Sequence, residues 1–214
     1  MLKGIVFDLD GVLVSTDEFH YKAWKKIADE NGLRFSREMN NKLRGVSRMA
    51  SLEIILKENN IELPTEEKER LCEEKNGIYR SSLSSLSKDD VDEDVFKMLK
   101  DLKEHGLKLA LGSSSKNARL ILDKTGLAPY FDKIVDGTMI SHSKPHPEVF
   151  LTGAELLGLS VDECAIVEDA EAGIDAGKAG GFLTFGIKEA AKYQRTDVPV
   201  KGIKDLEKQI LIRI

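Results

Sequence analysis

Four short clusters in this sequence combine acidic, hydroxyl and basic residues of the types that handle phosphoryl groups. They are Asp8-Leu9-Asp10-Gly11-Val12, Gly112-Ser113-Ser114-Ser115-Lys116-Asn117, Ser143-Lys144-Pro145 and Glu168-Asp169. A lone D-x-D-G segment is equally ordinary turn and cap chemistry. Three or more carboxylates brought to one place, however, repel one another unless a cation lies among them. Oxygen ligands with no His or Cys favour magnesium, a hard ion. Magnesium and Lys144 would neutralise phosphoryl oxygens, hydroxyls and free backbone N–H groups around Ser113 would donate to them, and one aspartate would be left to attack phosphorus.

The clusters cooperate only if the fold assembles them, and the apolar pattern describes a fold that does. A first strand over 2 to 8 carries Gly4-Ile5-Val6-Phe7 and ends at Asp8. From residue 91 onward helices and short apolar runs alternate. Helices are expected over about 94–105, 116–125, 147–157 and 171–179, and strands at Leu107 to Leu111, Ile134-Val135, Ala165 to Val167 and Phe182 to Phe185. Such a rhythm implies right-handed βαβ crossovers and a parallel sheet covered on both faces, an α/β fold. Ligands of these sheets bind beyond the carboxyl ends of the strands, where the first, second and fourth clusters fall. Lys144 precedes the helix that leads into the fourth strand.

Residues 17 to 86 break the alternation and read as helical throughout. Phe19, Ala23 and Ile27 recur at four-residue spacing, Leu52, Ile55 and Leu56 continue a stripe, and Pro64-Thr65-Glu66-Glu67 opens a further helix with acidic residues in its first turn. The chain therefore divides into a discontinuous core, 1–15 and 88–214, and an inserted all-helical cap, 16–87. The run Ser82, Ser84, Ser85 and Ser87 is the return hinge.

A net charge of −5, from 32 basic and 37 acidic residues, argues against nucleic acid as the partner. Cys72 and Cys164 lie far apart with no paired Cys or His spacing, so they read as buried thiols and not as a zinc or disulfide framework. The first apolar run is broken at once by Asp8 and Asp10, so no secretion signal or membrane span is expected there. The expected setting is the cytoplasm, with no membrane partner and a monomeric chain.

Asp8-Leu9-Asp10-Gly11-Val12, Ser113, Lys144 and Glu168-Asp169 match in order the four motifs of the haloacid dehalogenase-like phosphotransferases, and the chain resembles that family over its whole length. The resemblance implies a Rossmann-like core with a helical cap inserted after strand one. Within the family, His20, Trp24, Leu43-Arg44-Gly45-Val46-Ser47-Arg48, Lys75-Asn76 and Ser115-Lys116-Asn117 look like the mutases that interconvert β-D-glucose 1-phosphate and D-glucose 6-phosphate. By that resemblance Asp8 is the nucleophile that becomes an aspartyl phosphate, and Asp10 is the general acid and base. Asp8, Asp10 through its carbonyl, Asp169 and, as an outer or variable ligand, Glu168 hold Mg2+. Ser113 and Lys144 hold the phosphoryl group in transfer, while Arg48, Ser115, Lys116 and Asn117 grip the substrate's other phosphate. His20 and Lys75 keep Asp10 out of play until the cap closes. The sequence departs from the pattern at Arg44, where these mutases usually carry lysine, and at Val91-Asp92-Glu93-Asp94, which lacks the common Pro-Gly.

Plainer readings stand beside these. His20 and Trp24, four residues apart, equally describe a packed helix face; Arg48 opening a helix is an ordinary solvated side chain; Lys75 in Glu73-Glu74-Lys75 suits surface charge pairing; Lys116 suits the first turn of a helix. Three functions remain open: a mutase working through a bisphosphate intermediate, a sugar-phosphate phosphatase using the same aspartate, and a non-catalytic binder of phosphometabolites.

Overall fold

A computed structural model describes all 214 residues. Strand β1 (Gly4–Phe7) is followed by four helices, α1 (Asp17–Glu30), α2 (Arg37–Asn41), α3 (Arg48–Glu58) and α4 (Thr65–Ser82). The alternating part then runs α5 (Glu93–Glu104), β2 (Lys108–Gly112), α6 (Ala118–Thr125), β3 (Lys133–Val135), α7 (Glu148–Leu157), β4 (Cys164–Glu168), α8 (Glu171–Ala179), β5 (Leu183–Gly186), β6 (Val198–Pro199) and α9 (Ile203–Leu211). The six strands form one sheet in the order β3-β2-β1-β4-β5-β6, with every neighbouring pair parallel.

Side chains alternate across the strands, and both faces are buried. Ile5, Phe7, Leu109, Leu111, Ala165 and Val167 point into a large apolar cluster that also receives α5, α6 and α9. Val6, Ala110, Val135 and Ile166 point the other way, against Val149, Phe150 and Ala154 of α7 and Ala176 of α8. Burial on both faces is why these strands read as continuous apolar runs and not as alternating ones. The helices before α5 carry an apolar cluster of their own, in which Trp24, Ile27, Leu52, Ile55, Leu56 and Leu71 meet. Ala23, Tyr79 and Leu83 instead join the large cluster of the sheet, so the helical block is seated on the core by its α1 and α4 ends.

Several expected boundaries move. The first strand is shorter than 2 to 8, and the helix expected from 116 begins at Ala118. The preceding residues are held in a loop by their own hydroxyls: Ser113 Oγ accepts the Ser115 N–H at 3.1 Å and Ser115 Oγ accepts the Asn117 N–H at 3.2 Å. β6 and α9 were not expected. Pro199 argues against a strand in a sequence, yet β6 pairs only with β5 at the sheet edge, where a missing N–H costs little. The departure at Val91 to Asp94 is a helix start, with Asp92 accepting the Asp94 N–H at 2.9 Å to cap α5. Both cysteines are buried free thiols.

Ile166 is fully buried in the central strand β4. Ile166→Ala is expected to lower the unfolding free energy by about 2–5 kcal/mol through lost burial and a residual cavity. Urea unfolding followed by circular dichroism measures this, and a loss under about 1 kcal/mol would mean that the face packed on α7 and α8 carries little of the fold's stability.

Candidate active site

The sheet order reverses between β1 and β4, since β2 and β3 extend to one side and β5 and β6 to the other. A reversal of this kind opens a crevice at the carboxyl ends of the two strands. Phe7 pairs with Val167, and the next residues, Asp8 and Glu168-Asp169, emerge side by side at that crevice. The Asp8 N–H still donates to Val167 O at 3.0 Å, so the last rung of the sheet sets the aspartate's backbone.

All three carboxylates are buried, and so is Lys144, whose ammonium lies 2.5 Å from Asp8 Oδ1 and 2.5 Å from Glu168 Oε1. The other Glu168 oxygen accepts the N–H groups of Asp169 at 2.9 Å and Ala170 at 3.0 Å. Two glycines make the crowding possible. A Cβ on Gly173, in α8, would lie 1.9 Å from the Glu168 carboxyl group. A Cβ on Gly11 would lie 2.0 Å from Asp169 Oδ2, and Gly11 turns at φ +83°, a conformation other residues rarely adopt.

Burial raises the Asp8 carboxyl well above the usual range against the pull of Lys144, and burial together with the Glu168 charge raises Asp169 to about 7. Burial alone would lower the Lys144 ammonium, but Asp8 and Glu168 outweigh it and keep the lysine charged. Three carboxylates facing one ammonium leave an excess of negative charge. Ligand oxygens of Asp8, Glu168 and Asp169 lie within 4.8 Å of one another, and this all-oxygen set fits a hard divalent cation.

Above the cluster lies a cavity of about 760 Å³ between the sheet and the helical block. Of the residues singled out from sequence, Asp8, Asp10, Ser113, Ser115, Lys116, Asn117 and Asp169 line it from the sheet side. His20, Trp24, Arg44, Gly45, Val46, Ser47, Arg48 and Lys75 line it from the helical side. Lys144 and Glu168 are buried against the cluster and do not line the cavity. The two sides touch directly where Asn117 Nδ2 donates to Asn76 Oδ1 at 3.0 Å. Arg48 rests loosely, its Nη1 3.3 Å from Glu73 Oε2 and 3.4 Å from the Cys72 carbonyl. Ser47 Oγ accepts the Ala50 N–H and so caps α3. Arg44 pairs with Asp17 at 2.9 Å, and Asp17 also accepts from Asn40 at 2.9 Å, which ties the loop over 43–47 to the start of α1.

The plainer reading of Lys75 changes, and that of Trp24 holds beside its place in the cavity wall. Lys75 is not a surface ion-pair residue: it is buried, with its ammonium 2.8 Å from His20 Nδ1 and over the rings of Trp24 and Tyr79. Burial and the nearby Arg48 charge lower Lys75 to about 7, and burial with the charges of Lys75 and Arg48 pushes His20 well down, so a neutral His20 accepts from Lys75. Trp24 is both a packed core residue and a wall of the cavity. Lys116 precedes α6 and lines the cavity.

Asp10 is held by neither His20 nor Lys75. Its carboxylate accepts from the Thr16 hydroxyl and from the Thr16 N–H at 3.3 Å, and Thr16 Oγ1 is 2.9 Å from Tyr79 Oη. Tyr79 in turn stacks on His20 with ring centroids 4.1 Å apart. Burial raises the Asp10 carboxyl, opposed by the Thr16 bonds. Sequence reading missed Thr16 and Tyr79. Thr16 stands where a helix cap belongs, but its hydroxyl makes no cap bond and instead donates to Asp10. Ser114, named in the second cluster but given no role there, has its hydroxyl buried at the cavity without a partner.

The lowered Lys75 has a consequence for stability. Below pH about 7 the buried ammonium is charged in both folded and unfolded chains and its burial penalty is complete, whereas above that the unfolded chain binds the extra proton and folding gains with pH, by up to about 1.4 kcal/mol per unit. Lys75→Met removes this term. The stability of the parent minus that of the variant, from urea unfolding, is expected to rise between pH about 7 and about 9; a flat difference would place the lysine's proton elsewhere.

The model of the haloacid dehalogenase-like hydrolases matches residues 2–181. A β-phosphoglucomutase of Bacillus subtilis is 39% identical over 212 residues, covering 98% of this chain and 94% of the relative. A phosphorylated carbohydrates phosphatase of Thermotoga maritima is 28% identical, covering 85% of this chain and 82% of the relative. The crystal structure of a β-phosphoglucomutase from Clostridium difficile superposes with a TM-score of 0.93 at 35% identity, over 100% of this chain and 96% of that one. A match of this extent to sequence and fold alike means that the chain belongs to the haloacid dehalogenase-like hydrolase family.

Proposed function

We propose that the protein is a β-phosphoglucomutase, interconverting β-D-glucose 1-phosphate and D-glucose 6-phosphate through an aspartyl phosphate and a bisphosphate. The observation that carries this reading is a single cavity with a phosphoryl-transfer cluster on its floor and Arg48 and Lys116 among its walls. A mutase needs both, because one phosphate must be held at the reacting aspartate while the other is held at a distance. The similarity to the Bacillus subtilis and Clostridium difficile mutases over nearly the whole chain supports the same reading.

We assign the roles as follows. Asp8 uses a carboxylate oxygen to attack phosphorus; a P–O bond forms to Asp8 as the P–O bond to the sugar breaks. Asp10 gives a proton to the departing sugar oxygen and later removes one from the hydroxyl that accepts the phosphoryl group, which requires its release from Thr16. Lys144 and the Ser113 hydroxyl donate to phosphoryl oxygens. Asp8, Asp169 and the Asp10 carbonyl would hold magnesium, with Glu168 outside them fixing Lys144. When bound, the ion supplies positive charge to the phosphoryl oxygens. Residues 16–87 act as a cap over the 1–15 and 88–214 core, and their closure excludes water. Hydrolysis by the same aspartate is the second reading, which the similarity to the Thermotoga maritima phosphatase favours.

Asp8→Asn is expected to abolish turnover and the phosphoenzyme, read as loss of the phosphate mass increment on the intact chain. Asp10→Asn should still accept phosphate slowly from an activated donor while losing roughly 10²–10⁴-fold in sugar turnover. Activity surviving in Asp8→Asn beyond a trace would assign the nucleophile to another residue.

Arg48→Ala separates mutase from phosphatase. A charge-assisted hydrogen bond contributes about 1.5–3 kcal/mol, so its loss should cut isomerisation by about tenfold to 150-fold and let free bisphosphate escape. Hydrolysis of a small acyl phosphate should hardly change, because Asp8 and Lys144 are untouched. Inorganic phosphate as the main product of the parent protein, given β-D-glucose 1-phosphate and a bisphosphate primer, would replace the mutase with the phosphatase.

A further inference from the structure

Outside the cavity, His142, His146 and Glu148 lie together in the segment that leads into α7. His142 Nδ1 is 3.0 Å and His146 Nδ1 3.9 Å from the same oxygen, Glu148 Oε2, and the two imidazole centroids are 4.6 Å apart. Both histidines are exposed. From this geometry we infer that these three side chains form a binding site for a zinc-class transition-metal ion, distinct from the acidic cluster that serves phosphoryl transfer.

The distances are those of a ligand set needing only a small adjustment. Two donors about 2.0–2.1 Å from one tetrahedral ion stand roughly 3.4 Å apart, which falls between the two histidine-to-carboxylate distances. One donor of the three is already fixed. Glu148 Oε1 accepts the Ser141 N–H at 2.8 Å and Oε2 accepts the His142 N–H at 2.8 Å, so the carboxylate is clamped by backbone before any ion arrives. The histidines carry weaker commitments: the Glu148 N–H reaches His146 Nδ1 at 3.3 Å, and His142 Nδ1 faces only Glu148 Oε2. Pro145 and Pro147 flank His146 and restrict the backbone on either side, which reduces the entropy lost on ligation.

The chemistry selects the ion. Two imidazoles and one carboxylate suit zinc, copper, nickel or cobalt, whereas magnesium prefers oxygen alone and is better served by Asp8, Asp169 and the Asp10 carbonyl. Three protein ligands leave a position open to water on the exposed side. The segment also contains Lys144, whose ammonium points inward to Asp8 and Glu168. An ion joining His142 to His146 therefore braces the backbone on both sides of Lys144 without touching the cavity.

The test uses the full chain, stripped of metal by a chelator and then kept in saturating magnesium so that the acidic cluster is taken. Cobalt(II) titration is expected to develop visible d–d bands that saturate at one ion per chain, and zinc should displace them. Copper(II) at the same site should show nitrogen hyperfine structure in its paramagnetic resonance spectrum. His142→Ala/His146→Ala, in which both changes are at exposed positions, should lose the bands and the hyperfine structure yet keep the parent's mutase activity in magnesium. Asp169→Asn should retain both signals. Zinc should raise the thermal midpoint of the parent and of Asp169→Asn but not of the double variant. Equal cobalt signals in parent and double variant, or none in the parent, would overturn the site; loss in Asp169→Asn with retention in the double variant would assign the ion to the acidic cluster.

Discussion

The buried ammonium of Lys144 is the interaction around which the site is arranged. It is fully enclosed and 2.5 Å from both Asp8 and Glu168, so it must stay charged, and removing either partner would strand a charge inside the protein. The fold meets that requirement by delivering its three members from three elements: Asp8 from the end of β1, Glu168 from the end of β4, and Lys144 from the segment before α7. Both Glu168 oxygens are engaged, one by Lys144 and the other by the N–H groups at the start of α8. It therefore serves to position the lysine, and the lysine positions Asp8. The glycine at 173 belongs to the same constraint, since any side chain there would occupy the space of the Glu168 carboxyl.

The sequence disclosed the parts of this arrangement that rest on adjacency along the chain. Asp8 and Glu168-Asp169 follow apolar runs directly, and parallel strands place their ends together, so their convergence could be foreseen from the order of elements. The pairing of Lys144 with Glu168 could not, because it depends on how far the segment before α7 folds back. Boundaries failed where side chains overrule the backbone pattern, as at α6, where Ser113 and Ser115 take N–H groups that would otherwise open the helix earlier. β6 was invisible for a different reason, because a two-residue edge strand containing Pro199 has no periodicity to read, whereas α9 carries Ile203, Leu206 and Ile210 at helical spacing and was legible but not read.

Thr16 shows most clearly what pattern cannot carry. In the sequence nothing distinguishes it, and its chemistry follows only from the meeting of Asp10, at the end of the sheet, with Tyr79, well along α4. α1 and α4, which anchor the helical block, share the large apolar cluster of the core through Ala23 and Tyr79. Apolar packing by Ala23 and Tyr79 brings the hydroxyls within reach of Asp10, and the hydrogen bonds then select one arrangement among those the packing allows.

The polar assembly above the cluster has a logic of desolvation. Lys75 is enclosed by Trp24, Tyr79 and His20, and aromatic faces partly compensate an ammonium that water no longer reaches. Burial still lowers it to about 7, so its charge is held weakly and responds to whatever negative group enters the cavity. A negative group placed near Arg48 and Lys75 would offset both charges and raise the lysine. The helical side of the cavity thus gathers two cations, Lys75 and Arg48, whose mutual repulsion an anion between them would offset, whereas the carboxylates on the opposite side call for a cation.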